Sequence, residues 1–226
     1  MLNFELYNPV RIIFGPGEAE NIGKYTKEYG TKAMLVTYDV HDFFNELLAK
    51  LDKSFKDAGV TVTEFFKVKP NPRLSDIEEA IDICRKEGIE VIVALGGGSV
   101  MDSAKAIGAG VKYDGDPWKM FVSRHDKAVA VPPTDTLPTI MIPTKSATSS
   151  ETNNVAVATN DRTHEKAYIW APVLYPKICV MDPCVTATLP KFPMAAGAVD
   201  AMSHVLEAYL NGDQNSPVQD RCHEGL

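Results

Sequence analysis

A run of apolar residues, Glu90 to Leu95 (EVIVAL), ends directly in Gly96-Gly97-Gly98-Ser99, and the helical pattern of Met101 to Gly110 begins at once. A buried strand that breaks on glycines and restarts as a helix leaves few folds open. Glycines let backbone approach an anion closely, and the unpaired N–H groups and dipole of the helix start favour a phosphate. The segment is neither the GxGxxG of an ordinary dinucleotide fold nor a loop ending in GK[ST]. Taken bare, it also fits a plain tight turn; its place between strand and helix is what points to phosphate.

The flanking chain repeats the same unit. A short apolar opening, Val10 to Phe14, and a turn at Gly15-Pro16-Gly17 lead into a helical pattern from Glu18 to Tyr29. Lys32 to Thr37 reads as a strand, Asp42 to Ala58 as a helix with Phe44, Leu47, Leu48, Leu51 and Phe55 on one face, and Val60 to Phe66 as a period-two strand. Pro70-Asn71-Pro72 breaks the chain. Ser75, with Glu78 three residues on, is expected to N-cap a helix that Gly88 stops. Strands alternating with helices imply a parallel sheet, because parallel neighbours need crossover connections. Asp114 to Pro133 is polar and irregular, Leu137 to Ile142 is a strand, Ala167 to Val180 holds further short apolar runs, and Lys191 to Asn211 is a long amphipathic helix. The expected fold class is α/β: an N-terminal Rossmann-like parallel-sheet domain over 1–190, then the start of an all-α C-terminal domain over 191–226.

Charge narrows the partners. With 23 basic and 30 acidic side chains the net charge is −7, which argues against nucleic acid as the main partner, since phosphate backbones are held by cationic faces. No stretch matches the roughly 18 to 20 apolar residues of a membrane span, and Met1 to Val10 lacks the basic and apolar regions of a secretory leader. A cytoplasmic protein without a membrane partner is expected. The four cysteines are scattered and suggest neither a disulfide framework nor a zinc knuckle, but buried or idle thiols.

Two further segments carry chemistry. Pro143-Thr144-Lys145-Ser146-Ala147-Thr148-Ser149-Ser150-Glu151 follows a strand and concentrates hydroxyls at the same sheet edge as the glycines. These suit phosphate oxygens or a nicotinamide amide, or else form an N-cap cluster. Asp200 and His204 stand i, i+4 on a helix, with carboxylate and imidazole on one face. That spacing suits a first-row divalent metal, although two ligands are fewer than a site needs and a surface hydrogen bond is the plainer reading. His41, His125, His164 and His223 read as solvated or capping residues. Asp39 ends the strand Lys32 to Thr37, where an adenosine ribose would lie; its carboxylate would accept from the ribose hydroxyls of NAD and repel the 2′-phosphate of NADP. The alternative is that Asp39 caps the helix near Asp42.

Taken in order, these segments resemble one family. Asn8-Pro9, Phe14-Gly15-Pro16-Gly17, Pro70-Asn71-Pro72, GGGSVMDSAKAIGAG from Gly96, Tyr113 to Trp118, PTKSATSSE from Pro143 and GAVDAMSHVLEAY from Gly197 resemble the iron-containing, group III alcohol dehydrogenases, especially the butanol dehydrogenase-like branch. The resemblance implies that Gly97, Gly98 and Ser99 cradle a cofactor pyrophosphate, that Asp102 lies beside the nicotinamide end, that Thr144 and Thr148 line the cleft and that Lys166 reaches the cofactor. It makes Asp200 and His204 the first two ligands of a divalent metal, iron or alternatively zinc, with two further histidines supplied by a helical domain beyond this chain. It implies NAD or NADP, interconversion of a primary alcohol and its aldehyde by metal-assisted hydride transfer, no catalytic side chain apart from those holding metal and cofactor, and a homo-oligomer. The competing readings are a truncated, non-catalytic dinucleotide-binding module, and a relative such as glycerol dehydrogenase or dehydroquinate synthase. Two departures stand out. Ser149 occupies a position where the family usually has glycine, and Tyr38-Asp39-Val40-His41-Asp42 stands where butanol dehydrogenases often have a glycine-rich turn.

Overall fold

The computed structural model describes residues 5, 7–40, 42–123, 130–187 and 189–210. His41, His125, Cys222 and His223 fall outside them.

The strands are β1 (Arg11–Phe14), β2 (Lys32–Tyr38), β3 (Thr61–Val68), β4 (Val91–Gly96), β5 (Thr139–Pro143), β6 (Val155–Asn160), β7 (Glu165–Trp170) and β8 (Ile178–Met181); the helices are α1 (Ile22–Lys27), α2 (Asn45–Ala58), α3 (Leu74–Glu87), α4 (Gly98–Lys112), α5 (Pro183–Thr186) and α6 (Lys191–Leu210). Six strands form one sheet in the order β1-β8-β5-β4-β2-β3, every neighbouring pair parallel. β4 and β5 are buried along their whole length, as expected where helices cover both faces. Alternate residues feed two cores. Met34, Val36, Ile92, Ala94 and Met141 pack with Leu74, Ile77 and Ile81 of α3 and Met101, Ala104 and Ile107 of α4. Ala33, Leu35, Val91, Val93, Leu95, Ile140 and Ile142 pack with Ile22 of α1 and Leu51 and Phe55 of α2. The parallel α/β reading is therefore borne out.

From β2 the chain passes to β3 on one side and then to β4 on the other. The order reverses between β2 and β4, and the crevice at the carboxyl ends of such strands is where α/β sheets bind ligands.

Several local expectations change. Ser75 does not cap α3: the helix starts at Leu74 behind Arg73, which makes no side-chain cap bond. The Ser75 N–H donates instead to Asp161 Oδ1 at 3.1 Å, so the cap comes from a loop remote in sequence, which no local pattern reveals. Gly88 does end α3, in the left-handed conformation at φ 68°. The helix expected over Glu18 to Tyr29 is a 3-10 turn, Glu18–Asn21, followed by the short α1. β6 and β7 form an antiparallel hairpin that the sequence reading missed, because its inward residues Ala156, Ala158, Ala167 and Ile169 are mostly small. They join the α3–α4 core, while Tyr168 and Trp170 face outward. No helix among the described residues is long and apolar enough to cross a membrane.

Candidate functional site

The switch-point crevice is floored by the turn that β4 makes into α4. Gly97 is the N-cap of α4 and is extended (φ −87°, ψ −165°); its carbonyl accepts from the Val100 and Met101 N–H groups at 3.0 and 3.1 Å. Its own N–H is held by Tyr38 Oη from the tip of β2, at 2.9 Å. Thr144 is buried, and its N–H donates to Gly96 O at 3.1 Å, tying the start of the hydroxyl loop to the glycine turn. Thr148 lies over Gly98, where an added Cβ would come 2.9 Å from Thr148 Cγ2. The glycines are needed for this close packing rather than for an unusual φ, since neither is in the left-handed region. At both positions a Cβ would collide with protein atoms, Tyr38 Oη at Gly97 and the Thr148 side chain at Gly98; a helix start at the switch point of a parallel sheet suits the diphosphate of a dinucleotide.

The hydroxyl segment runs into turns and β6 rather than into a helix, so the N-cap alternative falls away. Its conformation is demanding: Ala147 and Ser149 hold positive φ, 97° and 51°.

Behind the loop, α4 carries a buried polar network. Asp102 Oδ1 accepts from Ser150 Oγ at 2.6 Å, and Oδ2 accepts from the Val157 N–H at 3.1 Å. Burial pushes the Asp102 carboxyl up, against the pull of Ser150 and of Lys105. Lys105 is completely buried, and its Nζ donates to Asn153 Oδ1 and Val155 O, each at 2.9 Å. Burial brings the Lys105 ammonium down to about 8, opposed by Asp102 and Glu151. Glu151 is itself raised by burial. Asp102 thus fastens the hydroxyl loop and β6 to α4, and both its oxygens are occupied in doing so.

Lys166 is exposed, on the outer face of β7. Its Nζ donates to Asn71 Oδ1 at 3.0 Å, and the Asn71 N–H donates to Ser99 Oγ at 3.3 Å. Asn71, at φ 62°, therefore joins Lys166 to the glycine turn. Asp39 is exposed at the tip of β2; its Oδ1 accepts from the adjacent Val40 N–H at 2.9 Å.

Asp200 and His204 lie on α6, well exposed, with Nε2 and Oδ1 3.8 Å apart, too far for a hydrogen bond. Gly197 shares their face of the helix, three and seven residues earlier. It is buried against the hydroxyl loop, where a Cβ would stand 3.2 Å from Ser146 Oγ and 3.3 Å from Lys145 Cε. The metal-type pair therefore sits one turn beyond the contact between α6 and the cofactor-type loop. Among the described residues no three histidine, cysteine or acidic side chains gather as a metal site. A carboxylate and an imidazole fit a first-row divalent ion, as part of a ligand set.

The sequence reading missed Tyr38, Asn71, Lys105 and Asn153, and held Ser150 only as one of the hydroxyls of its segment. Lys105 was findable, since it lies one turn from Asp102 on a helix whose buried residues are mostly apolar; the loop residues gave no such signal.

Comparison with known proteins gives the family. Residues 9–183 match the family described as iron-containing alcohol dehydrogenase, and the chain belongs to that family. It is 41% identical to the probable NADH-dependent butanol dehydrogenase 1 of Bacillus subtilis (strain 168), over 100% of this chain and 57% of that protein. It is 31% identical to the NADPH-dependent aldehyde reductase of Escherichia coli (strain K12), over 100% of this chain and 57% of that one. The crystal structure of NADH-dependent butanol dehydrogenase A from Thermotoga maritima superposes with a TM-score of 0.87 at 39% identity, covering 99% of this chain and 55% of that one. The chain thus spans little more than half the length of these relatives.

Proposed function

We propose that the chain forms the dinucleotide-binding part of an NAD(H)-dependent oxidoreductase that interconverts a primary, butanol-like alcohol and its aldehyde with the help of a divalent metal, iron or zinc. The observation that carries this reading is the close packing of Gly97 and Gly98 beneath Thr148 and Tyr38 at the switch point, beside the butanol dehydrogenase activity for which the relatives are named. Gly97, Gly98 and Ser99 would receive the pyrophosphate, Thr144 and Thr148 would line the cleft, and Lys166 would reach the cofactor from β7. Asp102 would hold the nicotinamide end indirectly, by fixing the loop through Ser150. Asp200 and His204 would hold the metal. Bound there, the nicotinamide supplies a hydride acceptor or donor and the metal a Lewis acid for the substrate oxygen. We place the domain division after residue 190, with 1–190 as the α/β unit and 191–226 as the first part of a helical one. A homo-oligomer remains part of the proposal.

The second reading is a dinucleotide-binding module without turnover; among the described residues no third ligand gathers with Asp200 and His204. One sample separates the two. NADH titration should give saturable binding that Gly98→Val weakens by roughly 5- to 100-fold, because overpacking against Thr148 costs about 1 to 3 kcal/mol. Unchanged affinity in a folded variant removes the glycine turn as the phosphate site. Butyraldehyde reduction on the same sample, with iron or zinc added, supports the dehydrogenase; intact NADH binding without turnover supports the module.

A further inference from the structure

We infer that Tyr38 is a latch on the glycine turn: its hydroxyl holds the Gly97 N–H that a diphosphate oxygen requires, so a dinucleotide binds by displacing the phenol, and Tyr38 sets the affinity. This rests on the dinucleotide reading above and adds to it the residue that competes for the site.

Tyr38 is the last residue of β2, and Gly97 follows the last residue of β4; these two strands flank the crevice where the sheet order reverses. The Gly97 N–H donates to Tyr38 Oη at 2.9 Å. One N–H does not serve two acceptors at full strength. An added Cβ on Gly97 would lie 2.9 Å from the same oxygen, so the phenol also covers the side of the glycine that a phosphate must approach.

The placement has a cause in the backbone. The β2–β3 register shifts between Thr37 and Tyr38, so that Tyr38 pairs with Val68 after Thr37 has paired with Phe66. Such irregularities re-aim a side chain. Thr37 stays in the sheet, donating to Leu95 O at 2.7 Å, while the Tyr38 ring packs against both cores and so lies across the end of the sheet.

The exchange favours the ligand. Burial raises the Tyr38 hydroxyl above its ordinary range, which keeps it a neutral acceptor. An anionic phosphate oxygen makes a charge-assisted bond to the same N–H, roughly twice as strong as a neutral one. A tyrosine that merely props the turn would do the opposite, since its removal would loosen the glycines and weaken binding. The sign of the effect therefore decides.

Tyr38→Phe keeps the ring and removes only the hydroxyl. NADH titration should give binding about 2- to 10-fold tighter than the parent, the worth of one net hydrogen bond. Equal or weaker binding by the folded Phe variant, with Gly98→Val still weakening the parent, overturns the latch and leaves the dinucleotide reading standing. If neither parent nor variant binds NADH or NADPH, that reading fails and the latch with it. Should Tyr38→Phe fail to fold, the parent itself decides by NMR: saturating NADH must shift both the Gly97 amide and the Tyr38 ring resonances. A ring unmoved while the amide shifts overturns the proposal.

Discussion

Helices α4 and α6 each carry a carboxylate with a basic side chain one turn on, Asp102 with Lys105 and Asp200 with His204, yet the surroundings of the two pairs are opposite. On α4 both groups are enclosed and bonded, Asp102 by Ser150 and Val157, Lys105 by Asn153 and Val155. On α6 the pair is exposed and 3.8 Å apart, and apolar Phe192, Val199 and Leu210 stand 83%, 66% and 74% exposed. The half proposed to take the phosphate is built from within the described residues. The half proposed to take the metal has its motif but, among the described residues, not its enclosure. A motif thus fixes which groups come together on one element, and says nothing about how many partners the rest of the fold supplies.

The sharpest way to break this contrast is to remove Lys105. Lys105→Met keeps the bulk but leaves Val155 O, Asn153 Oδ1 and the Asp102 charge poorly matched in a buried place, which should cost about 3 kcal/mol and lower Tm by roughly 6 to 12 °C. A pH series adds a second test. The folded ammonium loses its proton near 8 rather than 10.5, so between those values the unfolded chain binds the extra proton and stability from this group rises with pH. It is fully present above about 10.5 and lost as pH falls through 8. Cys84 and Cys179, raised by burial from 9.0 to about 12, work in the opposite sense above 9. The parent-minus-Met difference isolates Lys105, and a difference independent of pH would refute its lowered ionisation.

The matching change on α6 should do almost nothing to stability. His204→Ala removes an exposed side chain whose acidic neighbours among the described residues, Asp200 and Glu207, stand 3.8 and 3.9 Å away, so unfolding should shift by no more than about 0.5 kcal/mol. Zinc or iron titration of the parent should reveal only weak binding, abolished by the variant. A metal retained stoichiometrically through chelator dialysis, or a loss of stability like that of Lys105→Met, would mean that α6 is as enclosed as α4.

Much of α4 and its turn was legible in the sequence because strand, glycines and helix are contiguous, and the apolar run of Val91 to Leu95 demanded burial on both faces. α6 was legible for the same reason. What escaped was the matching between distant segments: Asp161 capping α3 through Ser75, Asn71 joining Ser99 to Lys166, and Tyr38 reaching Gly97. Each is a contact across many residues, set by sheet order and by a register shift that no periodicity records. The β6–β7 hairpin escaped because small inward residues imitate a loop.

Asp39 tests the comparison at the other rim of the crevice. Its carboxylate is exposed and bonded to Val40 N–H, not to the helix beyond, so the capping alternative finds no support in the described contacts. Exposure also reduces its expected effect. Water screens the repulsion of a 2′-phosphate, and about 0.5 to 1 kcal/mol replaces the 1 to 3 appropriate to a partly buried charge. Asp39→Gly should therefore move the ratio of NADPH to NADH dissociation constants by roughly 2- to 5-fold in favour of NADPH. A ratio that stays fixed takes Asp39 out of cofactor choice.

The smallest expected effect concerns Ser149. The side chain is exposed, so it does not crowd the glycine turn; the demand lies in the backbone, held at φ 51°. A left-handed residue with a Cβ costs on the order of 1 to 2 kcal/mol, which glycine avoids. Glycine gives back about 0.4 to 1 kcal/mol through the greater freedom of the unfolded chain. Ser149→Gly should thus stabilise the chain by about 0.5 kcal/mol, read as a higher urea midpoint at unchanged slope. The Ser149 carbonyl would keep its bonds from the Thr152 N–H and hydroxyl, at 3.0 and 3.3 Å, so Thr148 would stay over Gly98 and NADH affinity should hold within about twofold. A destabilised variant would show that the serine hydroxyl, rather than its backbone, is what this turn uses.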